Sequence, residues 1–172
     1  RIETYDISNI QGSNAVGSMV VFEEGRPKSS AYRRFKIKSV DGPDDYAMMQ
    51  EVLRRRFGGV AKARERREPE SNGSTDASQW DHLPSLVLID GGKGHLSSAR
   101  EVMLGLGLAD VPLASIAKKE EEVFIPEMTD PILLPRTSQG LYLVQRMRDE
   151  AHRFAITYHR KLRSKRTVGS AM

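Results

Sequence analysis

Two aspartates interrupt apolar stretches of the chain, where a carboxylate is costly to bury. Asp6 lies between Tyr5 and Ile7, and Asp90 directly follows the apolar run 86–89. A buried carboxylate is stable only when it is paired or bound to a metal ion. Either acid alone is more often structural: Asp6 on an exposed edge strand, Asp90 as a helix cap or part of a glycine turn. Together, on neighbouring strands, they would offer oxygen ligands to a hard divalent cation.

Further candidates lie at the starts and flanks of predicted helices. His152 flanks the apolar stripe of the last helix, where an imidazole could complete a metal site or move a proton. The alternative is a boundary histidine bonded to Asp149. Asp44 and Asp45 begin another predicted helix, and the helix dipole alone accounts for one acid there.

Basic residues form a second pattern. The segment 146–166 holds eight basic and two acidic residues, a net charge of +6, whereas the whole chain has +4. Such a stripe on a helix is typical of a protein that binds a polyanion, above all a nucleic acid. A solvated helix end is the alternative.

The loop Gly91-Gly92-Lys93-Gly94 could cradle a phosphate at a helix start, with Lys93 as a contact to a phosphate backbone, or it could simply be a tight turn. It lacks the Walker A spacing.

Composition limits the class of protein. The chain has 172 residues, of which 38% are hydrophobic and 29% charged, as in a soluble globular domain. Cysteine is absent, which excludes disulfides, thiol nucleophiles and thiolate metal sites. No apolar run approaches the roughly 20 residues that span a bilayer, so no membrane partner is expected. Because the chain starts at Arg1 and reads directly into a strand pattern, we expect a fragment of a longer protein.

The elements that must position these residues follow from periodicity and turn residues. We predict a mixed α/β fold whose five-stranded sheet combines an antiparallel three-strand meander with parallel strands and is flanked by helices. The expected domain covers 1–166, and 167–172 begins a linker. A flexible polar insertion is expected at about 58–82. The predicted strands are 2–8, 15–23, 31–38, 86–89 and 112–117, with short extended pieces at 123–126 and 132–134; the predicted helices are 42–57, 95–104 and one that starts at Thr137 or Ser138.

Four motifs closely resemble one family, over nearly the whole chain. They are Y-D-I-S-N-I-Q-G at 5–12, G-P-D-D-Y-A at 42–47, L-I-D-G-G-K-G at 88–94 and R-D-E-A-H-R-F-A at 148–155. The resemblance is to the C-terminal nuclease half of UvrC, the incising subunit of the bacterial nucleotide excision repair excinuclease. It implies a ribonuclease-H-like fold and a cytoplasmic bacterial protein. It also implies cleavage of the damaged strand on the five-prime side of a lesion, dependent on Mg²⁺ or Mn²⁺.

Position by position, the resemblance also implies roles for residues. Asp6, Asp90 and His152 match the family's catalytic triad, with His152 as a third metal ligand or a proton shuttle, and Asp45 matches a further acid needed for incision. The choice between Asp44 and Asp45 stays open. We expect basic residues to hold the phosphates of the DNA backbone, namely Lys93, Arg148, Arg160, Lys161 and Arg163.

The expected partners are damaged double-stranded DNA and the UvrB subunit. The family's N-terminal nuclease half, its UvrB-docking segment and its tandem helix-hairpin-helix module are missing from this sequence. We therefore expect a catalytic centre that binds DNA weakly. Two other classes remain open: a nuclease fold that has lost its metal site, and a nucleotide-binding enzyme that uses the loop around Lys93.

Overall fold

A mixed sheet runs through the middle of the computed structural model, which describes residues 1–10, 14–65 and 82–170. Within these residues the sheet has seven strands: β1 (Ile2–Ile10), β2 (Asn14–Glu23), β3 (Arg26–Pro27), β4 (Arg33–Lys36), β5 (Leu86–Asp90), β6 (Leu113–Ile116) and β7 (Val123–Phe124). Their order is β3-β2-β1-β5-β6-β7, and β4 also pairs with β2. Strands β1, β5 and β6 are mutually parallel, while β2 is antiparallel to β1 and β4.

Helices cover both faces of this sheet. The helices α1 (Asp45–Glu65) and α2 (Lys93–Gly105) pack on one face, and α3 (Gln139–Ser170) packs across β1 and β2 on the other. Each face has its own apolar core, which includes Tyr5, Val52 and Phe57 on the first side and Leu88 and Met147 on the second. Alternation along β1 therefore sends Tyr5 towards α1 and Asp6 towards α3.

The close approach of α1 to the sheet depends on one small residue. A Cβ atom at Gly17 of β2 would collide with the side chain of Val52 on α1. A larger residue at this position would push α1 away from β2, the strand that pairs with β1 beside Asp6.

The predicted mixed α/β class and the antiparallel meander are confirmed. All five predicted strands are present, and two further strands of two residues each extend the sheet. Ser138 is the N-cap of α3, because its Oγ accepts a hydrogen bond from the backbone nitrogen of Leu141 at 3.4 Å. None of the helices in the described part combines the length and the apolar character that crossing a bilayer requires.

Two predicted boundaries are wrong. The first eight residues of the expected insertion, 58–65, are helical, because α1 continues to Glu65. Burial of Val60 and Ala61 continues the apolar stripe past the Gly58-Gly59 pair, and this burial offsets the low helix propensity of glycine. Of the rest of the insertion, 66–81 lies outside the described residues. At the other end α3 continues to Ser170, so 167–170 are helical rather than the start of a linker.

Candidate active site

The sheet register brings Asp6 and Asp90 side by side. Strands β1 and β5 are parallel, with Thr4 opposite Leu88 and Tyr5 opposite Ile89, so the next residue of each strand is an aspartate. Leu88 belongs to the core beneath α3, and the two-residue period places Asp90 on that same face. Asp6 and Asp90 are only 6% and 7% exposed. The two carboxylates therefore meet beneath α3, at the carboxyl ends of the parallel strands.

Their electrostatic environment favours the protonated form. Burial and, next, the negative charge of Asp90 raise the pKa of Asp6 from 3.8 to about 7. Burial likewise raises the pKa of Asp90, while the positive charges of Lys118 and Arg148 act to lower it. Two like charges this close cannot both ionise easily in a desolvated place. Without a cation between them, the carboxylates hold a proton near neutral pH.

Asp90 also lacks hydrogen-bond donors. Both of its carboxylate oxygens are buried and accept no hydrogen bond from any donor in the described residues. Their neighbour is the carboxylate of Asp6, and that contact is a hydrogen bond only when one of the two acids carries a proton. Buried polar atoms without partners are rare and call for an explanation.

His152 completes the convergence. Its Nδ1 lies 3.9 Å from Oδ2 of Asp6, and its side chain is 56% exposed. Helix α3 therefore places an imidazole between the buried acids and the solvent. The His152 ring faces the acidic pair, so the geometry favours this contact over the alternative of a hydrogen bond to Asp149.

The two acids at the start of α1 have different partners. Asp44 is the N-cap, because its Oδ1 accepts a hydrogen bond from the backbone nitrogen of Ala47 at 3.0 Å. Asp45 instead accepts a hydrogen bond from Asn9 Nδ2 at 3.2 Å. Burial lowers the pKa of His95, while the charges of Asp45 and Asp90 act to raise it. Asp45 thus lies at the same edge of the sheet, apart from the paired carboxylates.

Asp6, Asp90 and His152 offer some of the ligands that a hard divalent cation takes in proteins. Two buried carboxylates, of which Asp90 has no donor among the described residues, are the ligand type that Mg²⁺ and Mn²⁺ take, and an adjacent imidazole suits Mn²⁺. Within residues 1–10, 14–65 and 82–170, however, no three His, Asp or Glu side chains already form a metal-binding cluster. The structure shows a pair of acids with a histidine beside it.

The predicted DNA-binding residues occupy three places. Lys93 is exposed at the start of α2, where its Nζ donates to the carbonyl oxygen of Thr129 at 3.3 Å. Arg148 is largely buried and lies 3.5 Å from carboxylate oxygens of both Glu121 and Asp149. Exposed positions on the C-terminal half of α3 hold Arg160 and Lys161. The side chain of Arg163 lies outside the described part of the structure.

Lys118 is a charged residue near the site that the sequence patterns above do not single out. Its positive charge is the foremost influence lowering the pKa of both Asp6 and Asp90. The sequence offers no signal for it, because Lys118 lies in a turn beyond the end of β6, and only the pairing of Ile116 with Asp90 brings that turn to the acids. The following Glu120 and Glu121 both have positive φ angles, 63° and 52°, an uncommon conformation for two consecutive residues.

The sequence of this chain is similar to that of a known family. A family model described as the UvrC RNase H endonuclease domain matches residues 1–156. The chain belongs to this family. The UvrC resemblance and the ribonuclease-H-like fold, both expected from four motifs, are thereby confirmed.

Individual relatives carry the name UvrABC system protein C. That of Methanosphaera stadtmanae is 54% identical over 164 residues, which are 95% of this chain and 26% of the relative. That of Dehalococcoides mccartyi is 52% identical over 172 residues, or 100% of this chain and 26% of the relative. That of Streptomyces avermitilis is 46% identical over 182 residues, or 100% of this chain and 27% of the relative. The chain thus spans about a quarter of the length of these curated relatives.

Among solved structures, the chain is similar to Ciona intestinalis endonuclease V in complex with a 24mer DNA containing an inosine followed by a ribo-adenosine. The TM-score is 0.44 at 15% identity, over 87% of this chain and 55% of that chain. A similarity with this TM-score and identity gives no information about the residues of the site described above.

Proposed function

We propose that this UvrC-family domain is a Mg²⁺- or Mn²⁺-dependent endonuclease that makes the five-prime incision of the damaged strand in bacterial nucleotide excision repair. The proposed partners are damaged double-stranded DNA and, for the whole protein, UvrB; the proposed compartment is the bacterial cytoplasm. The single observation that carries the proposal is the buried pair Asp6 and Asp90. Both oxygens of Asp90 lack a hydrogen-bond donor among the described residues, and His152 lies beside the pair.

The divalent ion, held by Asp6 and Asp90 with His152 as a third candidate ligand, would supply the positive charge that stabilises negative charge on phosphate oxygens. The chain's own residues do the rest. When His152 is not a ligand, its exposed imidazole would accept a proton from the attacking water. Lys118 adds positive charge at the same edge. Lys93, Arg160, Lys161 and Arg163 hold backbone phosphates, so DNA binding should weaken steeply with salt.

The proposal is tested by Asp6→Asn and Asp90→Asn, made in the full-length protein and assayed for five-prime incision of a lesion-containing duplex. Each substitution removes a charged oxygen ligand while keeping side-chain size. We expect incision to fall by about a hundredfold to a thousandfold, the scale on which charge stabilisation in an active site contributes. The matched control is Asp110→Asn, which removes an exposed aspartate paired with Arg64 and should cut at the parental rate. Retained cutting by a folded Asp6→Asn protein would refute the assignment.

Metal preference tests the place of His152. Imidazole is a softer ligand than carboxylate oxygen and tolerates Mn²⁺ better than Mg²⁺. Incision in Mn²⁺ should therefore at least equal incision in Mg²⁺, and His152→Asp should shift the preference towards Mg²⁺. Parallel rate measurements in the two metals check this. Incision that is much weaker in Mn²⁺ than in Mg²⁺ would argue against His152 as a ligand and leave it the proton-transfer role.

A further inference from the structure

Tyr46 does not join the core that its spacing predicts. It shares helical spacing in α1 with Met49, Leu53 and Phe57, which are all fully buried, yet 49% of Tyr46 is exposed. A single exposed aromatic residue is common on protein surfaces and means little alone. The surroundings of this ring, however, are unusual.

The ring packs against the first turn of α2, shortly after Asp90. His95 packs edge-on against Tyr46, with ring centroids 4.6 Å apart and an interplanar angle of 90°. A Cβ atom at Gly94 would collide with the Tyr46 ring, and one at Gly91 would come within 2.6 Å of His95 Nδ1. These two glycines therefore leave room for an aromatic pair, which is a second role for a loop whose sequence first suggests phosphate binding.

The position of the pair relates it to the acidic residues. Asp45, the neighbour of Tyr46, accepts a hydrogen bond from Asn9, and Asn9 lies three residues after Asp6 on the same strand. The charges of both Asp45 and Asp90 act on His95, which contacts the Tyr46 ring. Tyr46 and His95 therefore lie at the same edge of the sheet as Asp6 and Asp90, which is the edge where the proposed incision takes place.

We propose, on the basis of the nuclease function above, that Tyr46 stacks against a nucleobase of the DNA strand beside the scissile phosphate, with His95 as the support behind it. Stacking on a flat ring tolerates every base, which suits an enzyme that must act in any sequence context. A ring that is already fixed by His95 and Gly94 loses little rotamer freedom when a base packs on it. The exposed Lys93 next to Gly94 offers a cation for an adjacent phosphate.

The experiment uses this chain with a single-stranded oligonucleotide that carries 2-aminopurine, in chelator so that no cleavage occurs. Stacking quenches 2-aminopurine fluorescence, and anisotropy of a dye on the same strand gives Kd. We expect Tyr46→Ala to abolish the quenching and raise Kd by about fivefold to a hundredfold, the range of one base–aromatic stack. Tyr46→Phe keeps the ring and should behave like the parent.

Two further variants sharpen the result. Gly94→Ala keeps Tyr46 but displaces its ring, so it should lose quenching as Tyr46→Ala does while raising helix propensity in α2. Tyr142→Ala is the matched control, because Tyr142 is 48% exposed near the start of α3 and should leave both readouts unchanged.

Equal quenching and Kd for Tyr46→Ala and the parent would overturn this inference while leaving the nuclease proposal intact. An equal loss in Tyr142→Ala would also overturn it, because the effect would then belong to exposed aromatics in general. A parent chain that binds no single-stranded DNA at low salt would overturn the stacking surface alone, because the nuclease proposal concerns the full-length protein and is tested separately by incision with Asp6→Asn.

Discussion

Strand β1 carries two buried carboxylates, three residues apart, in opposite environments. Glu3 faces α1 and is fully paired: Arg56 donates to its two oxygens at 2.8 and 3.0 Å, and the Tyr5 hydroxyl donates at 2.7 Å. Asp6 faces α3, and its neighbour is another acid, Asp90, whose oxygens have no donor among the described residues. Both positions are desolvated, so their difference lies in the partners alone.

The contrast separates a structural acid from a functional one. Glu3 and Arg56 are each fully buried, and Arg56 also donates to the carbonyl oxygen of His82, so the cluster joins β1, α1 and the segment that leads into β5. Every oxygen of Glu3 has a partner within the fold. The acids of the second site repel each other when both are ionised, and a proton or a bound cation relieves that repulsion. An unpaired buried acid is thus a better indicator of function than a buried acid as such.

The largest effect on stability is expected from Arg56→Ala. Removal of one partner of a buried ion pair leaves an uncompensated charge, which lowers the free energy of unfolding by about 3–5 kcal/mol. Urea denaturation of the chain measures this. Arg64→Ala is the control, because Arg64 forms an exposed pair with Asp110 and should lose under about 1 kcal/mol.

A double variant tests whether the Glu3 charge is the cause. Glu3→Gln combined with Arg56→Met removes both charges and should recover most of the loss, since replacing a whole buried pair is often neutral. Equal destabilisation by the single and double variants would mean that packing of Arg56, and not the stranded charge, determines stability here.

The next effect has the opposite sign and depends on pH. Folding raises the pKa of Asp6 from 3.8 to about 7, so between those values the native state binds more protons than the unfolded chain. Stability of the metal-free protein should therefore fall as pH rises from about 4 to 7 and stay low above that. Asp6→Asn removes the charge and should be more stable than the parent by roughly 2–4 kcal/mol at about pH 8.

Denaturation in chelator at several pH values checks this expectation. The advantage of Asp6→Asn should vanish near pH 4, where Asp6 is protonated and resembles the amide. A variant that is no more stable than the parent at about pH 8 would show that Asp6 is not electrostatically strained. Together with loss of incision, a gain in stability would mark a residue kept for chemistry at the expense of the fold.

Much of this fold could be predicted from sequence, for identifiable reasons. The apolar run before Asp90 and the turn residues after β1 and β2 place the strands, and Asp6, Asp90 and His152 lie close together, as the resemblance leads one to expect. The partner of Glu3 could not be foreseen, because Arg56 is distant in sequence and any of many arginines could have filled the role. The predicted end of α1 is too early because the low helix propensity of Gly58 and Gly59 favours a break there. In the folded protein the burial of Val60 and Ala61 outweighs that propensity, so the helix continues.

The smallest effects separate Asp44 from Asp45, the pair that sequence left ambiguous. Asp44 caps α1, so Asp44→Ala should lower the free energy of unfolding by about 1 kcal/mol and leave incision unchanged. Asp45 contacts Asn9 near the acidic pair, so Asp45→Asn should change stability by less than about 1 kcal/mol and yet reduce incision. Denaturation and incision assays on both variants form a crossed test. If Asp45→Asn cuts like the parent, its contact with Asn9 is structural, and the acids assigned to incision reduce to Asp6 and Asp90.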